Sequence, residues 1–116
     1  MIVKATREGL IGDVTSSGYR IDAVVAFVAL PSVRALQRFV RVTNPATGRS
    51  TLAQVLDVGP HFTHDDAYVF GTARPGAETG RKGDGTPMNG AGIDLSEAVW
   101  DALGMTDNGP VDWTFV

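Results

Sequence analysis

No cysteine occurs anywhere in the 116 residues, which excludes disulfides and thiolate metal sites and leaves the redox compartment open. Positive charge is also scarce: 10 Lys and Arg stand against 13 Asp and Glu, a formal charge of -3, with no basic patch. Non-specific nucleic-acid binding leans on phosphate neutralisation by clustered cations, so no nucleic-acid partner is expected. No apolar run approaches the ~18 residues of a membrane span, and none is expected to bind a membrane. Met1–Glu8 lacks a cationic segment followed by an apolar core, so the chain is expected to carry no export signal of its own. What the chain does have is 43% apolar residues, enough for one modest core, and 14 glycines that break it into short elements. A single domain over residues 1–116 is the expectation.

The chain is organised around residues 39 to 103. Phe39-Val40-Arg41-Val42-Thr43 and Ser50-Thr51-Leu52-Ala53-Gln54-Val55-Leu56-Asp57 flank Asn44-Pro45-Ala46-Thr47-Gly48, whose Pro and Gly suit a tight reversal. The second run ends at Asp57, where Gly59-Pro60 stops the strand. A second carboxylate, Asp94, lies where the short strand Gly92-Ile93-Asp94-Leu95 meets a helix over Ser96–Leu103. Val99, Trp100 and Leu103 recur there at helical spacing, and Gly104 provides the left-handed residue that ends the helix.

Further strands are expected at Ile2–Thr6, at Leu10–Thr15 and, ended by Pro31, in the apolar run Ile21–Leu30. Val111–Val116 alternates strictly and predicts a half-buried last strand. Gly71–Gly92 holds seven glycines and two prolines and predicts a long irregular segment, the greater part of a loop insert over residues 61–92. The sum is a mainly β protein, a small closed barrel of six or so strands with one short α-helix and a long glycine-rich insert.

The order of the motifs resembles the rare lipoprotein A family and, more distantly, the barwin, expansin and inverting endoglucanase relatives. The matching pieces are Thr15-Ser16-Ser17-Gly18 with Asp22, Ala29-Leu30-Pro31, Val40–Asn44 with Thr47–Ser50, Asp57-Val58-Gly59-Pro60, and Ile93-Asp94-Leu95-Ser96. The resemblance implies a six-stranded double-psi β-barrel acting on peptidoglycan or a related β-1,4-glycan; no cofactor is expected. It implies that Asp94 is the general acid of a lytic transglycosylase and that Asp57 and Asp94 line the sugar groove. Delivery to the cell wall after export, lysis or by a phage particle would follow. Two departures stand out: Phe27 occupies the place where the transglycosylase members carry a histidine, and the insert after Pro60 replaces a short turn.

The residue chemistry admits both this reading and plainer ones. Cleaving a glycosidic bond needs a carboxylic acid still protonated near neutral pH, which a second carboxylate and partial desolvation can produce. Asp94 could instead cap the helix, with Glu97 at the reciprocal position, although Ser96 competes for that role. Asp57 could make an Asx turn into Gly59-Pro60. Thr15 and Asp22 are further groove candidates, Asp22 the weaker one, since it reads more readily as a solvated strand edge. His61 and His64 could supply the imidazole that Phe27 cannot; a spacing of three in a loop does not match hydrolytic zinc sites, so a metal is not expected. Tyr68 is the candidate aromatic platform for a sugar, whereas Trp113 belongs to the core side of the last strand. The alternative to an enzyme is a non-catalytic glycan-binding or structural module, with a protein assembly as partner.

Overall fold

The computed structural model describes residues 1–8 and 11–116. Among them six strands close a barrel: β1 (Ile2–Arg7), β2 (Phe27–Leu30), β3 (Phe39–Thr43), β4 (Ser50–Val58), β5 (Ala91–Leu95) and β6 (Gly109–Phe115), in the spatial order β1-β5-β2-β4-β3-β6. The pairs β1/β5 and β2/β4 are parallel and the other four antiparallel. Two helices accompany them, α1 (Asp66–Val69) and α2 (Glu97–Ala102). Closure leaves no free sheet edge, and the alternating inward residues fill the lumen. Val3, Ala5, Val28, Leu30, Val40, Val42, Val55, Ile93, Leu95 and Val111 meet there in one buried cluster.

The β3–β4 hairpin forms as expected, with Asn44 N–H on Arg49 O at 2.9 Å and Gly48 at φ 75°. Its turn also anchors α2, because Asn44 Nδ2 and Thr47 Oγ1 both donate to Leu103 O. The expected helix is α2, flanked by Ser96 and Leu103, with Val99 and Trp100 buried.

Three expectations change. The run 21–30 is a strand only from Phe27, because Asp22 Oδ1 accepts the backbone N–H groups of Val24 and Val25 and bends the chain before it. The strand expected at Leu10–Thr15 begins outside the described residues, and its remainder makes a single bridge, Val14 with Arg20. The insert is less irregular than its glycines imply: it holds α1 and a 3-10 turn at Gly76–Glu78, and Tyr68, Val69 and Ala77 are buried.

Candidate functional site

Asp57 and Asp94 come together through β2. Ala29 pairs with Asp94 of β5 on one side and with Asp57 of β4 on the other, and Thr6 of β1 pairs with Asp94 beyond. Laterally paired residues share a face, so Thr6, Asp94, Ala29 and Asp57 form one row, the two aspartates standing two strand spacings apart, roughly 10 Å between Cα atoms. The row lies on the outer face, since Val28 and Leu30, which alternate with Ala29, point into the core. Ala29, the smallest side chain of the row, is its floor.

A register shift makes this alignment. Val28 pairs with Val55 but Ala29 with Asp57, so Leu56 is an extra residue of β4. Without it, the alternation that sends Ala53 and Val55 inward would send Asp57 inward too. Leu56 itself joins a small outer cluster with Ile21 and Phe27, flanked by Tyr19 and Val25.

The two aspartates are held differently. Asp57 Oδ1 accepts three hydrogen bonds of 2.9 Å, from Ser16 N, Ser16 Oγ and Val58 N. Burial pushes its pKa up, but hydrogen bonds from the Ser16 N–H, the Glu8 carboxyl, the Ser16 hydroxyl and the Val58 N–H outweigh it and hold Asp57 below the ordinary carboxylate range. Asp94 is pushed the other way. Burial dominates, the Asp57 charge adds to it, and the hydrogen bond from the Thr6 hydroxyl together with the His61 charge opposes it without cancelling it. The helix-cap reading of Asp94 does not hold, because Ser96 is the cap, its Oγ accepting from Val99 N.

Glu8, which the sequence reading passed over, completes the cluster. It directly follows β1, and its N–H is bonded to Leu95 O at 2.8 Å. Burial, a hydrogen bond to Asp57 and the charges of Asp94 and Asp57 push its pKa up to about 8. The signal available was the alternation Thr6-Arg7-Glu8, which puts Glu8 on the same side of the chain as Thr6.

The histidines separate. His61, at φ 65°, places Nε2 2.9 Å from Asn89 Oδ1 and exerts its charge on Asp94, whereas His64 bonds Thr63 and bears on Asp66. A positive φ on a non-glycine residue beside candidate acid groups is the kind of strain that recurs at functional sites. Gly59, at φ 147°, faces the same carboxylate: a side-chain carbon there would stand 3.7 Å from Asp94 Oδ2. Phe27 is fully buried and packs edge-on against Tyr19, so that place is apolar.

The other candidates sit elsewhere. Thr15 is buried in the turn that carries Ser16, its hydroxyl accepting from Tyr19 N. Asp22 is exposed and engaged by the Tyr19 hydroxyl and two backbone N–H groups. Tyr68 requires a correction. The residue is 2% exposed, its hydroxyl donates to Gly92 O and accepts from Trp113 Nε1, and so it is a core residue rather than a surface platform.

Comparison with solved structures yields the same barrel over the whole chain. The Streptomyces papain inhibitor superposes with a TM-score of 0.58 at 20% identity, covering 100% of this chain and 93% of the inhibitor. Cerato-platanin 3 from M. perniciosa gives 0.58 at 12% identity, covering 100% and 94%. An Asp-to-Asn variant of the Clavibacter michiganensis expansin, in complex with cellohexaose, gives 0.56 at 20% identity, covering 100% of this chain and 50% of the expansin. At these identities the likeness establishes the fold, a double-psi β-barrel. No curated protein matches the chain. A family model does match residues 1–76, which hold Glu8, Ser16, Ala29 and Asp57 but not Asp94, and the chain belongs to that family, Domain of unknown function (DUF8814).

Proposed function

We propose that the chain acts on a β-1,4-linked glycan of the peptidoglycan kind and cleaves it by acid–base catalysis, with Asp94 as the acid/base and Asp57 as its ionised partner. The observation that carries this reading is the pair of aspartates flanking Ala29 with their proton affinities pushed in opposite directions. Two neighbouring carboxyls so tuned divide into an acid and an anion. Asp94 donates its proton to the leaving glycosidic oxygen as the C–O bond breaks, and the adjacent Asp57 carboxylate stabilises the positive charge that develops on the sugar. The sugar's own C6 hydroxyl then attacks the anomeric carbon, and its proton returns to Asp94. The product is an anhydro sugar and no water is consumed. That an expansin of the same fold holds cellohexaose supports a glycan as the ligand class.

The test is digestion of purified murein sacculi by the wild type and by Asp94→Asn. Release of anhydro-muropeptides by the wild type, reduced at least ~100-fold in the variant, is expected for loss of a general acid. No release from a folded wild type removes the enzymatic reading.

Burial of Phe27 where the transglycosylase resemblance expects a histidine favours a second reading, a module that binds glycan without turnover. It predicts that wild type and Asp94→Asn sediment with sacculi and release nothing.

A further inference from the structure

We infer that Glu8 is a positioning residue of the groove: its carboxyl keeps a proton and donates it to the Asp57 carboxylate, which holds Asp57 ionised and oriented beside Asp94. The inference rests on the glycan-cleavage reading only for its effect on the reaction.

The geometry is specific about where the proton sits. Glu8 Oε2 is buried and has no hydrogen-bond partner among the described residues. An ionised carboxylate with a buried oxygen that no donor reaches is costly, so neutralisation is the cheaper state. Glu8 and Asp57 bear directly on each other's proton affinity, and two neighbouring carboxyls bond only when one of them carries a proton. Asp57 already accepts the Ser16 N–H, the Ser16 hydroxyl and the Val58 N–H on Oδ1, which favours its anion. Among the described residues no such donor reaches Glu8 Oε2, so the proton belongs to Glu8. The charged groups around it reinforce this. Asp57 approaches from β4 and Asp94 from β5, the His61 charge bears on Asp94, and Arg7, the neighbour in sequence, is turned to Glu97 at 2.6 Å. Ionising Glu8 would set a second negative charge beside the Asp57 anion in one half-buried cluster and remove the donor on Asp57.

Glu8→Gln supplies the test, because the amide is isosteric, neutral and a donor at every pH. A group whose folded pKa is raised stabilises below its unfolded pKa, and that stability is lost as pH rises through the folded value. The wild-type thermal midpoint should therefore fall relative to Glu8→Gln by several degrees between about pH 5 and about pH 8, the gap ceasing to widen above about pH 9. Parallel curves overturn the inference. Carboxyl-carbon NMR of glutamate-labelled wild type gives a reading that needs no variant: titration of Glu8 near 8 supports the inference, and titration in the ordinary glutamate range overturns it. On sacculi, ionisation of Asp94 lowers release in base for both proteins, but wild-type release should fall further than Glu8→Gln release above about pH 8, while Glu8→Ala loses release across the range. If no protein releases product but the midpoints diverge, the shared proton stands and the glycan-cleavage reading falls.

Discussion

Ser16 shows how one side chain of modest size governs the chemistry of another. Both its N–H and its hydroxyl converge on Asp57 Oδ1, and the turn that carries it is fastened by Ser17, whose hydroxyl donates to Leu56 O at 2.7 Å. Ser16→Ala leaves the backbone bond and deletes the hydroxyl one, so Asp57 should titrate closer to its ordinary range. A stability loss of about 1 kcal/mol is expected for one hydrogen bond to a partly exposed carboxylate. Chemical denaturation and carboxyl NMR check the two effects. An unchanged Asp57 titration would mean that the hydroxyl has no hold on it. At this scale the sequence was only partly legible. Asp57 and Asp94 announce themselves as carboxylates at the ends of strands, but Thr15-Ser16-Ser17-Gly18 carries no sign of which of its hydroxyls meets a carboxylate 41 residues away.

At the scale of elements, β2 is the strand on which the site depends. It lies between β5 and β4, and its Ala29 separates the two aspartates. Ala29→Leu puts a branched side chain on the floor of the row. The expected result is loss of glycan binding, with about 1–3 kcal/mol of destabilisation from overpacking, read by co-sedimentation with sacculi and by the denaturation midpoint. Undiminished binding would place the ligand elsewhere on the barrel. α2 depends on a different residue of the same region. Ser96 is 1% exposed, caps α2, accepts from Phe27 N at 3.1 Å and donates to Val25 O at 3.2 Å, so it ties the helix to the entry of β2. Ser96→Ala removes the cap and leaves the Phe27 N–H and the Val25 carbonyl without their partner. A loss of about 2 kcal/mol is expected, and a midpoint unchanged from wild type would refute the linkage.

For the molecule as a whole, the carboxyl groups pull the pH dependence of stability in two directions. Asp57 and the surface-paired Asp66, Glu78 and Glu97 titrate below their ordinary range, so the stability they contribute is present above it and is lost as pH falls through their folded values. Glu8 and Asp94 titrate above it, so their contribution is present in acid and lost as pH rises, for Glu8 through about 8. The thermal midpoint should therefore be greatest in mildly acidic solution, fall as pH approaches about 8 and fall again below about 4. Calorimetry across that range decides it; a midpoint that rises steadily between about pH 5 and about pH 8 contradicts the assignment of the two raised carboxyls.

The local chemistry of the chain was enough to specify the β3–β4 hairpin, the helix ended by Gly104 and the alternating last strand, and their sum a small closed barrel, whose double-psi kind was implied by the resemblance in motif order. The hairpin, the helix end and the last strand are written in neighbouring residues: a Pro-to-Gly turn, a glycine after the last helical turn, a two-residue period. The site was decided by tertiary structure. It gathers Thr6, Glu8, Ala29, Asp57 and Asp94 from four strands or their ends, and their alignment hangs on a one-residue shift at Leu56 that no local period announces. For the same reason Tyr68, a plausible surface aromatic in a glycine-rich insert, becomes a core residue once Gly92 and Trp113 offer it hydrogen bonds. Glu8 reads in the sequence as one more surface charge. It becomes a half-buried acid only when β1 is laid against β5, because proton affinity depends on burial and on the charges that folding brings near, and neither is a property of neighbours along the chain.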